Sequence, residues 1–195
     1  MKTQILIPND QKIISVDELK NWGFSYYRIN KLVEAGNLIK LNKKNYENCN
    51  YQGENSDFYY AYGYVPSGII CLMSAAVYYN LSTFRPDSID VAVGKNKKVS
   101  TMPDWPTIKL YYFQEARYET GIEIISEGMN RFNIYDIEKT VADIVHYRNK
   151  VGIEETKEIL TNYLKRSDRD INKLYRYAEK LKCSDIIRTY LEVLI

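Results

Sequence analysis

The chain contains 195 residues, of which 45% are hydrophobic, and its 27 Lys or Arg and 25 Asp or Glu leave a net charge of +2. This length allows one large or two small domains, and the apolar content excludes an intrinsically disordered chain. No apolar run approaches the roughly 20 residues that a transmembrane helix needs, and the start MKTQILIPND lacks the features of a signal peptide. We therefore expect a cytoplasmic protein without a membrane segment.

The cysteines and the distribution of charge indicate which kinds of binding site the protein could have. Cys49, Cys71 and Cys183 are far apart and no CxxC pair exists, so we expect reduced thiols, with no disulfide, metal site or cofactor. The net charge is +3 in residues 1–50, −3 in residues 51–130 and +2 in residues 131–195. A basic footprint on one face can bind nucleic acid even when the whole chain is nearly neutral.

The first predicted elements are two short helices around a tight turn. Ser15 and Glu18 have the spacing of a capping box at the start of the first helix, and Gly23 is suited to end it. Ser25 caps the second helix, which ends at Gly36. A strand at residues 38–41, a polar turn at 42–45 and a return strand from residue 46 complete a basic hairpin. This order predicts an N-terminal winged helix-turn-helix.

The outward face of the second helix has side chains suited to DNA. Ile29, Leu32 and Val33 lie at helical spacing and are expected to face inward. Basic side chains can reach phosphates or guanine edges, an Asn can pair with adenine, and tyrosine hydroxyls can reach phosphates. The candidate DNA-binding residues are Tyr26, Tyr27, Arg28, Asn30, Lys31, Lys40, Lys43 and Lys44. The alternatives are an ordinary solvated helix or a winged helix that binds protein.

The polar stretch of residues 45–57 is the predicted boundary between a domain of residues 1–51 and a second domain of residues 58–195. Residues 58–64 are rich in tyrosine and are predicted to form a short helix or a covering arm. The tyrosine rings could line a domain interface or stack on RNA bases.

The second domain is predicted to combine a sheet with a helical tail. Residues 69–81 indicate a buried helix, and alternation predicts four strands, at residues 88–93, 107–113, 122–126 and 131–135. The last two strands flank residues 127–130, which include Gly128, and are predicted to form a hairpin. We expect the four strands to form a small, mainly antiparallel sheet. Asp136 is the predicted cap of a following helix, and further helices are predicted at residues 154–165, 170–182 and 184–194. The predicted fold class of the chain is therefore α+β.

Enzymatic chemistry has little support in the sequence. His146 is the only histidine, and a lone histidine on a helix is usually structural. Asp90, Lys95 and Glu123 loosely resemble the carboxylates and lysine of a metal-dependent nuclease, but an acidic strand followed by a basic turn contains the same residues by chance. No GxGxxG or P-loop is present. We therefore expect a protein that is not an enzyme.

Basic residues also recur on one predicted helix near the end of the chain. Arg169, Lys173, Arg176 and Lys180 are spaced by three or four residues and should share a face. Such a face is either a solvated surface or a contact with a protein or a nucleic acid.

Three segments in this order resemble the AbiEi-type antitoxins of type IV (abortive infection) toxin–antitoxin systems. The segments are the predicted winged helix, the run ICLMSAAVYYNL at residues 70–81 with the strand after it, and YDIEKTVAD at residues 135–143. Each is a pattern of packing and capping, so the resemblance lies in their order, and it spans most of the chain. The family commonly has one more helix before the first helix assigned here. Residues 1–11 contain Pro8 and are too short for that helix, so we expect a strand or an arm there.

The resemblance implies two activities. The N-terminal domain would bind inverted repeats in its own promoter as two copies and repress the operon. The C-terminal domain would counteract a nucleotidyltransferase-like toxin without forming a stable complex, and the face of Arg169, Lys173, Arg176 and Lys180 is the candidate antitoxin surface. The alternatives are a winged-helix transcription factor with a C-terminal sensing domain, and a nuclease or other enzyme that is targeted by a winged helix.

Overall fold

A computed structural model describes the backbone of residues 7–194 and the side chains of residues 7–192. Within these residues the protein is a mixed α+β structure with a three-stranded and a five-stranded sheet. The strands are β1 (Ile13–Ser15), β2 (Leu38–Lys40), β3 (Asn45–Asn48), β4 (Ile69–Ile70), β5 (Ile89–Gly94), β6 (Ile108–Phe113), β7 (Ile122–Glu127) and β8 (Asn130–Tyr135). The helices are α1 (Val16–Asn21), α2 (Tyr26–Glu34), α3 (Asp57–Tyr64), α4 (Leu72–Tyr78), α5 (Glu115–Tyr118), α6 (Ile137–His146), α7 (Arg148–Val151), α8 (Ile153–Lys165), α9 (Ile171–Lys180) and α10 (Ser184–Leu194).

The three-stranded sheet is antiparallel, with the order β1-β3-β2. The helices α1 and α2 connect its two edge strands. Their apolar sides pack on the sheet around Ile14, Leu19, Ile29, Leu38 and Tyr46, all of which are buried. This small core therefore holds α2 by one side only.

The predicted helix boundaries in this region are confirmed. Ser15 and Glu18 form a reciprocal capping box at the start of α1, and Ser25 Oγ accepts a hydrogen bond from the Arg28 amide at the start of α2. Gly23 and Gly36 have φ angles of 87° and 73°, which a residue with a Cβ adopts only with strain.

The N-terminal arm is only partly described. The predicted strand or arm of residues 1–11 falls partly on residues 1–6, which lie outside the described residues. Residues 7–11 contain neither helix nor strand, and the sequence did not predict β1, which follows them.

The five-stranded sheet has the order β6-β5-β4-β8-β7. The pairs β5–β6 and β4–β8 are parallel, whereas β4–β5 and β7–β8 are antiparallel. The prediction of a mainly antiparallel sheet is therefore wrong. The predicted β7–β8 hairpin is confirmed, and its turn contains Gly128 at a φ of 60°.

The predicted helix of residues 69–81 is shorter than expected. Ile69 and Ile70 form β4, which lies at the centre of the sheet between β5 and β8, and the helix α4 begins only at Leu72. Asp90 on β5 fixes this start, because its Oδ2 accepts a hydrogen bond from the Met73 amide at 3.2 Å. The apolar run of residues 69–81 therefore begins with a strand, and this strand forms because Ile69 and Ile70 pair with β5 and β8.

Both faces of the five-stranded sheet are covered. On one face Ala92, Phe113 and Tyr135 pack with α6 and the tail helices α8, α9 and α10. On the other face Val91 and Phe132 pack with α3 and part of α4. As predicted, Asp136 caps α6, and its Oδ1 accepts a hydrogen bond from the Lys139 amide at 2.8 Å.

The tyrosine-rich segment is the helix α3, and it lies between the two sheets. The predicted boundary of residues 45–57 begins inside β3, and residues 49–56 contain neither helix nor strand. Asn45 Nδ2 donates to the Gly63 carbonyl at 2.5 Å, and Tyr60 Oη donates to Glu47 Oε1 at 2.7 Å. On the β7–β8 hairpin, Asn130 Oδ1 accepts a hydrogen bond from the Lys12 amide at 2.6 Å. The rings of α3 therefore line a contact between the two sheets.

Candidate functional site

The helix α2 presents a polar face to solvent. Ile29 anchors its inner side in the small core. Tyr26 and Tyr27 are 58% and 71% exposed, and Arg28, Asn30 and Lys31 are also exposed. The capped start of α2 thus positions all five predicted DNA-binding residues of this helix on the outer surface.

The contacts of these side chains differ. Lys31 Nζ lies 2.7 Å from Glu34 Oε2, and Lys20 Nζ lies 4.3 Å from the ring centroid of Tyr26. The side chains of Arg28 and Asn30 form no hydrogen bond or ion pair with any residue that the structure describes. These two side chains are therefore the most available on α2 for an external ligand.

The β2–β3 turn is locked by its own asparagine. Asn42 Oδ1 accepts hydrogen bonds from the amides of Lys44 at 2.8 Å and Asn45 at 3.0 Å, an arrangement that holds a polar turn in shape. Asn42 Nδ2 also donates to the Gly63 carbonyl at 2.8 Å. The turn is thus tied to α3, and Lys43 and Lys44 remain exposed, as does Lys40 on β2.

A groove continues from this turn onto the five-stranded sheet. It has a volume of about 320 Å³, and its lining residues include Lys43 and Lys44 of the turn and Lys97 and Lys98 of the β5–β6 connection. The residues that line it include no Asp or Glu. The sequence indicates only a basic turn after the strand that contains Asp90. That Lys97 and Lys98 line the same groove as Lys43 depends on the tertiary fold.

The four predicted antitoxin-surface residues on and before α9 do not form one exposed basic face. Arg169, Arg176 and Lys180 are exposed, whereas Lys173 is only 28% exposed. Lys173 Nζ lies 3.1 Å from both Asp136 Oδ2 and Glu138 Oε2. Burial opposes the charge of Lys173, but the hydrogen bonds that its ammonium donates to these carboxylates, and their negative charges, raise its pKa above the usual value. Lys173 therefore links α9 to α6 and is not available to an external partner.

A second ionic cluster is buried inside the five-stranded unit. The side chains of Lys139 and Asp143 are fully buried and form an ion pair, and Arg117 pairs with the same carboxylate. Lys139 Nζ also lies 3.8 Å from the ring centroid of Tyr135. Burial lowers the pKa of Lys139, and the nearby Asp143 carboxylate opposes this shift. Buried as it is, this cluster can hold α6 against α5 but cannot receive a ligand.

The residues that loosely resembled a nuclease site do not converge. Asp90 pairs with Lys109, whereas Glu123 pairs with Ile134. Two strands separate β5 from β7, and the two carboxylates point to opposite faces of the sheet. Within the described residues, no group of His, Cys, Asp and Glu could hold a metal ion.

His146 lies half-buried at the end of α6, with its ring centroid 4.7 Å from that of Tyr147. Burial lowers the pKa of His146. None of the helices in the described part of the chain is long and apolar enough to cross a membrane.

Comparison with known protein families finds no family model that matches the chain, and comparison with curated proteins finds no match either.

Proposed function

We propose that this protein is a DNA-binding antitoxin that represses its own promoter. The observation that carries the proposal is the exposed face of α2, where the side chains of Arg28 and Asn30 form no hydrogen bond or ion pair with a described residue, together with the exposed lysines of the β2–β3 turn. Arg and Asn are the side chains that most often read guanine and adenine, and lysines neutralise phosphates. In this proposal α2 lies in the major groove.

The order of elements supports a winged helix-turn-helix. The strand β1, the helices α1 and α2 and the hairpin β2–β3 follow one another, and β1 pairs with β3. The firm anchoring of the β2–β3 turn by Asn42 suits a wing that contacts the DNA backbone. Lys97 and Lys98 across the basic groove extend the same positive surface, so we propose that phosphates beyond the wing contact the second unit.

The antitoxin part of the proposal rests on the resemblance of three segments to the AbiEi type. In that family type the second domain counteracts a nucleotidyltransferase-like toxin. Arg169, Arg176 and Lys180 are the exposed cations that we assign to this activity, and Lys173 is left out because Asp136 and Glu138 bind it.

The test is a growth assay with the gene adjacent in the genome. The chain is expressed from a foreign promoter beside that gene, and a reporter measures repression of the chain's own promoter. Growth rescue together with repression supports the proposal. If neither is seen with a folded protein, the proposal is wrong.

A transcription factor with a ligand-sensing second unit is the other candidate, and a cavity favours it. The cavity has a volume of about 500 Å³ and lies between β1, α1 and the β7–β8 hairpin. Gln11, Lys44 and Arg131 are among its lining residues, and the buried Oε1 of Gln11 has no hydrogen-bond partner in the described structure. Repression without growth rescue, relieved by a small molecule from a cell extract, would favour this candidate.

A further inference from the structure

The strand β7 forms one edge of the five-stranded sheet. The Gly121 carbonyl accepts a hydrogen bond from the Asp136 amide at 2.8 Å, and the β7–β8 register continues from this pair. In an antiparallel pair, alternate residues direct both backbone groups to the neighbouring strand. Residues 121, 123, 125 and 127 therefore bond to β8. The amides and carbonyls of Ile122, Ile124 and Ser126 point away from the sheet.

This edge has little of the usual protection against pairing with another strand, since its only charges are Glu123 and Glu127. Natural sheets guard long edges with charged side chains, above all lysine, or with proline, bulges or short strands. The strand β7 has six residues, without lysine or proline, and Ile122 and Ile124 are 42% and 65% exposed.

The charges of β7 point to the other face of the sheet. Glu123 and Glu127 lie on the face opposite to Ile122 and Ile124, where they accept hydrogen bonds from the hydroxyls of Tyr79 and Tyr59. No charge of β7 therefore lies beside the exposed isoleucines.

The other edges among the described residues are guarded. The strands β1 and β2 have three residues each, and β2 ends in the exposed Lys40. The opposite edge strand of the large sheet, β6, carries the exposed Lys109. Of these edges, β7 is the one that combines length, exposed isoleucines and the absence of a basic residue.

We propose that β7 is a dimer interface, in which two copies of this chain pair antiparallel along β7. A twofold axis perpendicular to the sheet keeps each face of the sheet on the same side in both subunits. Residues that stand opposite each other across the two β7 strands must therefore lie on the same face. Pairing Ile124 with Ile124 of the partner subunit also places Ile122 opposite Ser126 of the partner subunit. In this register every outward-facing residue of β7 has an outward-facing partner, and the two five-stranded sheets become one continuous sheet. A shift of two residues leaves outward-facing groups unpaired.

The side chains suit this register. Ile124 and Ile124 of the partner subunit meet at the twofold axis, and their contact removes apolar surface from water. On the other face Glu123 stands opposite Ile125 of the partner subunit, so no two carboxylates are directly opposed. Like charges directly opposite each other would destabilise a strand pair.

The first test measures the oligomeric state and contains no DNA, so its outcome is independent of the proposed DNA binding. Sedimentation velocity over a dilution series should show a concentration-dependent dimer for the full chain. Ile124→Lys should raise the dimer dissociation constant by at least about tenfold, because it places two like charges at the axis. Tyr112→Lys, on the exposed opposite edge β6, is the matched control and should leave the dimer intact.

The second test fixes the register by disulfide trapping. The exposed Cys49 is first replaced by Ser. Ile124→Cys should then form a covalent dimer on oxidation, since paired Cα atoms about 5.5 Å apart lie within the range that a disulfide spans. Ile122→Cys alone should not, because the two copies of residue 122 are offset by roughly 13 Å. The double variant Ile122→Cys with Ser126→Cys should form the covalent dimer again.

Three outcomes would overturn the proposal: a full chain that stays monomeric throughout the dilution series, a dimer that Tyr112→Lys disrupts as strongly as Ile124→Lys, or trapping of Ile122→Cys as efficient as that of Ile124→Cys. Circular dichroism of each variant establishes that it is folded.

Discussion

Arg28 and Asn30 are the two side chains on which the proposed recognition of bases by α2 depends. Both are exposed on α2, and the side chain of neither forms a hydrogen bond or ion pair with a described residue that DNA would have to break. Lys31 differs, because its ion pair with Glu34 competes with a phosphate. Sequence-specific affinity is therefore expected to depend more on Arg28 and Asn30 than on Lys31.

Arg28→Ala and Asn30→Ala should each weaken binding to the promoter by about 1–3 kcal/mol and have little effect on unrelated duplexes. Lys43→Ala and Lys44→Ala should instead weaken binding to both duplexes alike and reduce the salt dependence of binding. Fluorescence anisotropy with promoter and scrambled duplexes at several salt concentrations measures both effects. If Arg28→Ala weakens binding to both duplexes equally, α2 does not read bases.

The Glu18 carboxylate at the start of α1 makes the stability of the folded chain depend on pH in the acid range. Burial acts against its charge, but hydrogen bonds from the Ser15 side chain, the Ser15 amide and Gln11 hold the pKa of Glu18 below 4.5. The unfolded chain therefore binds a proton more readily than the folded chain. The stabilising contribution of the Glu18 carboxylate is present above pH 4.5 and is lost as the pH falls through the folded-state pKa.

Glu18→Gln should make stability less sensitive to acid, because glutamine preserves the capping box but does not titrate. At neutral pH we expect a loss of under about 1 kcal/mol. Urea unfolding of both proteins, from neutral pH to below pH 4.5, provides the comparison. Parallel stability curves for the two proteins would show that Glu18 has no part in acid unfolding.

At the scale of elements, α9 is attached to α6 through both apolar and ionic contacts. Leu174 and Ala178 are buried against the common core, and Lys173 bridges the two carboxylates at the start of α6. Tyr177 Oη donates to Asp136 Oδ2 at 2.8 Å. Removing Lys173 would leave Asp136 and Glu138 buried without this cation, which is costly.

Lys173→Met should lower the free energy of unfolding by roughly 1–3 kcal/mol, since it keeps the aliphatic stem and removes only the charge. Lys180→Met, one of the exposed positions on the same helix, is the matched control and should change stability by less than about 0.5 kcal/mol. Chemical denaturation gives both values. Equal stability losses would mean that the bridge to Asp136 and Glu138 contributes nothing.

The strand β4 shows what the sequence predicts and what it cannot. The helices capped by Ser25 and Asp136 and the β7–β8 hairpin were predicted correctly, because their signals are local: a cap, a periodicity and a turn glycine. The two residues of β4 have no such signal, since Ile69 and Ile70 continue the apolar run of a helix. Their pairing with β5 and β8 imposes the strand.

The candidate site likewise contains some residues whose position the sequence predicts and others whose position depends on the tertiary fold. The exposure of Arg28 and Asn30 follows from helical spacing, so the sequence alone predicts their place on the outer face of α2. Lys173 shares the same spacing with Arg176 and Lys180, but the carboxylates that bind it lie more than 30 residues away in the chain. That Lys97 and Lys43 line the same groove likewise depends on how the two sheets pack.

At the scale of the whole molecule, the two sheets are joined through α3. Hydrogen bonds from Asn42 and Asn45 to the Gly63 carbonyl, and from the Lys12 amide to Asn130, tie the β2–β3 hairpin and β1 to the larger unit. The basic groove between Lys43 and Lys97 lies along this junction. A duplex that contacts the proposed wing would therefore also reach the second unit.

A single proposed winged helix covers one half-site, so tight binding to the promoter should require two copies on inverted repeats. Nuclease footprinting of the promoter should show two protected repeats in inverted orientation. The Ile124→Lys variant is a useful comparison here, because loss of the proposed dimer should demand more protein for the same protection. One continuous, asymmetric footprint from a single monomer would contradict the twofold arrangement.

The last prediction separates the two proposed activities. Charge reversal of Arg169, Arg176 and Lys180 to Glu should abolish growth rescue and leave promoter repression nearly intact, because these residues are exposed and lie outside the three-stranded sheet and its helices. Arg28→Ala with Asn30→Ala should relieve repression and leave rescue intact. Lys173 is kept in both variants, since its loss would disturb the α6–α9 contact.

The measurement is growth under toxin challenge with the antitoxin supplied from a foreign promoter, so that changes in repression do not alter its amount. Thermal melts monitored by circular dichroism accompany each variant, because three added glutamates near Asp170 and Glu179 could weaken α9 through like-charge repulsion. A charge-reversed protein that melts like the wild type and still rescues growth fully would remove this basic surface from the antitoxin activity. In that case, variants of the exposed residues of β7 and of the basic groove would be the next to assay.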